Sequence, residues 1–83
     1  MEFEQSAEFR KDLKKLPADE VERLDRVIAS LAVNKRAGKQ LHHLKEVYSV
    51  RIGNKRLVYR IEGEERILLV LFRSREGVYG LLK

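Results

Sequence analysis

A two-residue turn between two alternating segments constrains the fold of this chain more than any other feature. From residue 47 onward apolar side chains recur at every second position, and Gly53-Asn54 interrupts the pattern. Alternation with period two is typical of a strand with one buried face, and a glycine-asparagine pair favours a tight hairpin turn. The pattern therefore predicts an antiparallel hairpin formed by residues 47–52 and 55–61.

The pairing across this hairpin follows by counting outward from Gly53-Asn54. One face, which we expect to be buried, carries Tyr48, Val50, Leu57 and Tyr59. On the other face Arg51 lies directly opposite Arg56. Like charges in a cross-strand pair destabilise a sheet, and arginine cannot lose its charge, so an anion between the two would relieve the repulsion.

A third strand extends this arrangement. Residues 66–72 are almost continuously apolar, which is typical of a central strand. If Gly63-Glu64 forms the second turn, Arg56 lies opposite Leu71, and Arg73 lies two residues further along the same face. Three guanidinium groups then converge at one end of the sheet, as in a phosphate site. The alternative is neutralisation of one or more arginines by Glu46, Glu62, Glu65 or Glu76.

The first 33 residues predict a short strand followed by two helices. Residues 1–5 alternate weakly, Ser6 is a suitable N-cap, and Phe9, Leu13 and Leu16 have helical spacing. Pro17 ends the first helix and can open the next in its first turn. We expect helices over residues 6–16 and about 17–33, a basic connector over 34–46, and the order β-α-α-β-β-β. This is an α+β fold, with a helical hairpin packed on a small, mainly antiparallel sheet.

Length, composition and charge further limit what kind of protein this chain can be. The 83 residues fit one domain, 1–83, and contain no cysteine, which excludes disulfides and thiolate chemistry. The acidic N-terminus has no apolar segment after it, and no apolar run could span a membrane, so we expect a cytoplasmic protein without a membrane partner. Residues 1–34 carry a net charge of −2, and residues 35–83 carry +7. The basic part is either a solvated surface or a polyanion-binding face.

Other catalytic patterns are missing from the sequence. The five glycines are scattered, so no phosphate-binding loop is present, and the serines lack a nearby base. His42 and His43 are adjacent and point apart, so we expect neither a metal site nor another cofactor. Tyr79 either stacks on a nucleic-acid base or anchors the C-terminal tail.

Three segments together resemble the RelE/ParE toxin superfamily, on its RelE-like side. They are Lys-Lys-Leu-Pro (14–17), the stretch 44–61 with its Arg-Leu-Val-Tyr strand, and Arg-Ser-Arg-Glu-Gly-Val-Tyr (73–79). The resemblance implies a toxin of a type II toxin-antitoxin system. RelE-like members cleave mRNA in the ribosomal A site without a metal, whereas ParE-like members inhibit DNA gyrase.

The resemblance also implies roles for individual residues. The catalytic basic residues correspond to Arg51, Arg56 and Arg73, and a functional tyrosine corresponds to Tyr79. Ser49 stands where some relatives hold a lysine, and neither the glutamate nor the terminal histidine of other relatives has a clear counterpart. The general base stays open among Glu46, Glu76, His42 and Tyr79.

The predicted partners are a RelB-like antitoxin, mRNA in the ribosomal A site and rRNA. Expected RNA or ribosome contacts are Lys35, Arg36, Lys39, Lys45, Lys55 and Arg75. Two other functions stay open: a ParE-type inhibitor of gyrase without enzymatic activity, and a basic RNA- or ribosome-binding module without turnover.

Overall fold

A five-stranded sheet with two helices on one face forms the molecule in a computed structural model that describes residues 1–41 and 44–74. The elements are β1 (Glu2–Gln5), α1 (Ala7–Lys14), α2 (Ala18–Val33), β2 (Lys39–Gln40), β3 (Val47–Ile52), β4 (Lys55–Gly63) and β5 (Arg66–Ser74). The strand order is β1-β5-β4-β3-β2, with β1 parallel to β5 and every other pair antiparallel. The predicted α+β class and mainly antiparallel sheet are confirmed. No helix in the described ranges is long and apolar enough to cross a bilayer.

Local sequence signals place both helices. Ser6 caps α1, since its hydroxyl accepts a hydrogen bond from the Phe9 amide at 3.0 Å. Helix α2 begins one residue later than expected, so Pro17 is its N-cap and does not belong to its first turn. The Pro17 carbonyl accepts hydrogen bonds from the amides of Glu20 and Val21, both at 3.1 Å. The helices agree with the predicted bounds to within two residues.

The core lies between the helices and one face of the sheet. Phe9, Leu24 and Leu31 from the helices are fully buried against the sheet. The sheet contributes Tyr48, Leu57, Tyr59, Ile61, Ile67, Leu69 and Phe72. Tyr48 and Tyr59 stack with ring centroids 5.6 Å apart. The face predicted to be buried is therefore the one that packs on the helices.

The hairpin between β3 and β4 has the predicted register. Tyr48 pairs with Tyr59, Val50 with Leu57, and Arg51 with Arg56. Gly53 adopts a positive φ of 63° in the turn, a conformation that glycine reaches without a steric penalty.

The register expected for the second hairpin was wrong. β4 runs through Gly63, so the turn is Glu64-Glu65 and Gly63 pairs with Arg66. Two irregularities follow, because Glu62 on β4 and Val70 on β5 have no direct partner. As a result Arg56 pairs with Arg73 and not with Leu71.

The connector over residues 34–46 holds a strand that the sequence does not reveal. The two residues of β2 pair with Ser49 and Tyr48 at the edge of the sheet. With only two residues, both polar, this strand shows no alternation of apolar and polar side chains. It is held through the buried Tyr59 hydroxyl, which donates to the Lys35 carbonyl at 2.8 Å and accepts from the Gly38 amide at 3.1 Å.

Candidate functional site

Three arginines form a row across three neighbouring strands at one end of the sheet. Arg51 on β3 pairs with Arg56 on β4, and Arg56 pairs with Arg73 on β5. We call these residues the arginine row. Arg56 is therefore the direct cross-strand neighbour of both other predicted catalytic arginines, whereas the sequence had placed it opposite Leu71.

Two members of the row face a small cleft. Arg51 and Arg56 line a space of about 140 Å³ together with Asn54 and Lys55. The Nε of Arg51 donates to the carbonyl of Gly53 at 3.1 Å. Within residues 1–41 and 44–74, neither Arg51 nor Arg56 forms an ion pair. The cleft is therefore a place where two like charges lie close together without a carboxylate from the described part of the chain.

Arg73 turns away from this cleft toward helix α1. Its Nε donates to both carboxylate oxygens of Asp12, at 2.9 and 3.0 Å, and its Nη2 donates to Glu8. The hydrogen bond to Asp12, followed by that to Glu8, raises the pKa of Arg73 above its usual range. Arg73 is therefore a permanent cation that does not serve as a proton donor near neutral pH.

Within the arginine row, the charge of Arg73 is neutralised by carboxylates, but not by those that the sequence suggested. The sequence offered Glu46, Glu62, Glu65 and Glu76, whereas Glu8 and Asp12 form the ion pairs. Arg73 lines a second space, of about 270 Å³, next to α1. The arginine row accordingly lines two clefts, one at Arg51 and Arg56 and one at Arg73.

Lys55 connects the two clefts, because it lines both. Its Nζ forms an ion pair with Glu20 at 2.8 Å and lies 5.7 Å from the centre of the Phe72 ring. This geometry fixes Lys55 beside the arginine row. It is the one predicted RNA contact in the described ranges that the structure places there.

Other predicted RNA contacts lie toward the opposite end of the sheet. Lys35 donates to the carbonyl of Glu64 at 2.9 Å, and Arg36 pairs with Glu46 at 3.2 Å. Lys45 is exposed just before β3, and Lys39 is exposed on β2, opposite Ser49. Arg75 lies outside the described residues.

The candidates for the general base are also separated from the row or not described. Glu46 directly precedes β3, whereas Arg51 is near its far end. Five residues of extended chain span about 16 Å, so Glu46 lies away from the arginine row. His42, Glu76 and Tyr79 lie outside the described residues.

Asp12 and Glu8 are the site residues that sequence reasoning missed, and a signal for Asp12 was present. Asp12 follows Phe9 by three positions and precedes Leu16 by four, which places it on the apolar stripe of α1. The structure buries it, with 6% of its surface exposed. An acid on a buried stripe needs a partner, and the sequence alone did not show which cation that partner is.

Known proteins share both the sequence pattern and the fold. Residues 3–79 match the model of the family described as the ParE toxin of the type II toxin-antitoxin system parDE. The protein named "Putative toxin RelE1" of Methanocaldococcus jannaschii is 37% identical over 75 residues, which cover 83% of each chain.

Solved structures agree on the fold. The RelB-RelE antitoxin-toxin complex of Methanococcus jannaschii contains a chain with a TM-score of 0.77 at 20% identity, covering 96% of this chain and 99% of that one. The intact RelBE complex of E. coli also gives 0.77, at 19% identity, with coverage of 87% and 93%. On the family model and the identity to RelE1, the chain belongs to the RelE/ParE toxin superfamily of type II toxin-antitoxin systems.

Proposed function

We propose that this toxin is a ribosome-dependent mRNA endoribonuclease that inhibits translation. The observation that carries the proposal is the arginine row, in which Arg51 and Arg56 are directly opposed without a carboxylate partner among the described residues. Such a pair favours an anion with several oxygens, and a phosphodiester fits because guanidinium forks match phosphate oxygens. The proposed reaction takes place where ribosomes translate, in the cytoplasm.

The reaction is RNA cleavage by the adjacent ribose. The 2′-oxygen attacks phosphorus while its proton passes to a base, and the bond from phosphorus to the 5′-oxygen breaks. The 5′-oxygen takes up a proton, so the products carry a 2′,3′-cyclic phosphate and a 5′-hydroxyl. Negative charge accumulates on the pentacoordinate phosphorane, and preorganised cations lower its free energy.

Each member of the row has a role in this proposal. Arg51 and Arg73 stabilise the charge of the phosphorane, and Arg56 contacts the substrate phosphate and the leaving group. The raised pKa of Arg73 supports a purely electrostatic role for that residue. Tyr79 stacks on or orients the substrate, and the general base is unassigned.

In the part of the chain that the structure describes, few proton-transfer groups lie beside the arginine row, which supports dependence on the ribosome. Ser49, where some relatives hold a lysine, is 5% exposed and offers no cation. An enzyme of this kind depends on a substrate that is already held in a reactive geometry. The ribosomal A site can provide such positioning for mRNA.

We propose further that a RelB-like antitoxin inhibits the toxin by covering the arginine row with an acidic segment. The structural neighbours from M. jannaschii and E. coli are complexes of RelE with RelB. Substitution of the acidic residues of such a segment by their amides should weaken inhibition, measured by the antitoxin concentration that halves mRNA cleavage. A complex that leaves the row exposed would show that inhibition is steric and acts elsewhere.

The ParE-type function is the second candidate, because the matching family model is described as a ParE toxin. Supercoiling by purified gyrase and cleavage of mRNA on programmed ribosomes, measured side by side with the same preparation, separate the two. We expect cleavage and unimpaired supercoiling. Inhibited supercoiling without cleavage would favour the gyrase inhibitor, and ribosome binding without either effect would favour a binding module without turnover.

A further inference from the structure

Asp12 is a buried carboxylate at the unpaired edge of β5. β1 pairs with β5 only as far as Leu69, so the edge beyond that residue has no neighbouring strand in the described part of the chain. The hydroxyl of Ser6 donates to the Val70 carbonyl, and Asp12 accepts from the Phe72 amide at 3.0 Å. Helix α1, from its N-cap Ser6 to Asp12 in its last turn, thereby takes the place of a neighbouring strand.

The same carboxylate fixes the guanidinium of Arg73. Both oxygens of Asp12 accept from the Nε of Arg73, at 2.9 and 3.0 Å. Arg56, the cross-strand neighbour of Arg73, repels it, and the ion pair with Asp12 holds the guanidinium against α1 instead. Asp12 therefore sets where the charge of Arg73 lies.

Glu8 binds the same arginine in a different environment. It accepts from Nη2, and its side chain is 50% exposed, whereas that of Asp12 is 6% exposed. An exposed ion pair is weak and exchanges with solvent ions, whereas a buried charge must keep its partner. The carboxylate oxygen of Glu8 thus lies where another anionic oxygen can replace it.

We propose that Asp12 is a positioning residue that holds Arg73 for the substrate phosphate, and that Glu8 is the carboxylate that this phosphate replaces. The proposal rests on the proposed ribonuclease function. Asp12 acts through Arg73 and does not touch the reacting atoms. Binding of the phosphate removes Glu8 from Nη2 and leaves the bond between Asp12 and Nε in place.

The first test follows the Nε proton of Arg73 by NMR with isotope-labelled arginine, in the free protein and without ribosomes. In the unmodified protein we expect this proton to exchange with water at least about tenfold more slowly than that of the exposed Arg26, and to keep its resonance when inorganic phosphate is added. Asp12→Asn should shift the signal and accelerate exchange, and Glu8→Gln should not. Equally fast exchange at Arg73 and Arg26 would overturn the proposal, even if Asp12→Asn fails to fold.

The second test uses cleavage kinetics on programmed ribosomes. Asp12→Asn should lower kcat about 10- to 100-fold, the loss seen when a partner that orients a metal ligand is removed. KM should stay nearly constant, because Asp12 does not touch the substrate. Glu8→Gln should lower KM about two- to fivefold, because the competing carboxylate is gone. Asp25→Asn, an exposed acid on α2, is the matched control and should change neither constant.

A double variant separates positioning from a merely structural role. In an Arg73→Ala background, Asp12→Asn should have no further effect on kcat, whereas a structural defect would add to the loss. Additive losses would contradict the proposal. If the unmodified protein cleaves no mRNA, the ribonuclease function fails, and the NMR experiment still decides whether Asp12 orients Arg73.

Discussion

At the scale of single residues, Arg73 combines two features. It lies opposite Arg56, and it is bound by two carboxylates that keep it charged and oriented. A charge that is fixed before the reaction begins stabilises the transition state without reorganisation. This makes Arg73 the residue at which catalysis and binding should separate most clearly.

Arg73→Ala should slow mRNA cleavage on the ribosome by about 10²- to 10³-fold, the usual effect of removing one preorganised transition-state donor. Ribosome binding should weaken much less, because many basic groups share the attraction to phosphate. Single-turnover cleavage and equilibrium binding check the two effects separately. Lys11→Ala, an exposed change on α1, is the control. Parallel losses of cleavage and binding would make Arg73 a docking residue.

The buried hydroxyl of Tyr59 contributes to stability through two hydrogen bonds to the backbone of the connector. Tyr59→Phe leaves the Lys35 carbonyl and the Gly38 amide without their partner, so we expect a loss of about 1–3 kcal/mol in the free energy of unfolding at pH 7. Urea denaturation measures it. Tyr48→Phe, in the ring stacked on Tyr59, is the matched control and should cost less. An equal loss in both variants would contradict the role of the Tyr59 hydroxyl.

The same tyrosine predicts a pH dependence at high pH. Burial raises the pKa of Tyr59 above its ordinary 10.0. In the unfolded chain the phenol ionises near pH 10.0, whereas the folded protein still holds the proton, so stability falls as the pH rises above that value. Denaturation of the unmodified protein from pH 8 to 11 should show this decline, and Tyr59→Phe should reduce its slope. An unchanged slope would show that other groups cause it.

At the scale of secondary-structure elements, the β3–β4 hairpin and the two helices could be predicted because each rests on local signals. Gly53-Asn54 fixes one register, and Ser6 and Pro17 mark the helix starts. The β4–β5 register was mispredicted because Gly63 continues the strand and two irregularities shift the alternation. Such shifts depend on how side chains from both strands pack, which no single segment encodes.

The short strand β2 depends on tertiary contacts around Gly38 more than on the strand propensity of its own residues. A Cβ atom at Gly38 would lie 2.8 Å from the Ser49 carbonyl oxygen and 2.9 Å from the Tyr59 hydroxyl. Gly38→Ala should therefore lower the free energy of unfolding by about 1–3 kcal/mol and increase amide exchange in β2. Gly63→Ala is the control, since its Cβ would come no closer than 4.0 Å to Arg66. Equal stability of the two variants would contradict this account.

At the scale of the whole molecule, the basic residues form separate groups at the two ends of the sheet. The arginine row and Lys55 lie at one end of the sheet, whereas Lys35 and Arg36 lie toward the other and are held by internal contacts. The net charge of +7 in residues 35–83 predicted a polyanion-binding protein but could not show this separation. The sequence therefore indicated the arginines of the candidate site, whereas their pairing with Asp12 and Glu8 depends on the packing of α1 against β5.

The separation predicts different salt effects for the two ends. Affinity for single-stranded RNA should fall as salt rises, with a slope in logarithmic units of about 0.7 per phosphate neutralised. Arg56→Ala should reduce that slope by about 0.7, and Arg36→Ala, which removes a cation already paired with Glu46, should change it less. Binding titrations at several salt concentrations measure it. Equal reductions would place RNA at both ends of the sheet.

The central claim is that the arginine row stabilises the phosphorane formed when a ribose attacks its own phosphodiester. The most direct measurement maps the cleaved ends of an mRNA bound to a programmed ribosome and identifies their chemistry. We predict cuts at the A-site codon with a 2′,3′-cyclic phosphate and a 5′-hydroxyl, and formation of both about 10²- to 10³-fold more slowly with Arg73→Ala while the toxin still binds. Intact mRNA, or ends with a 5′-phosphate, would contradict the account.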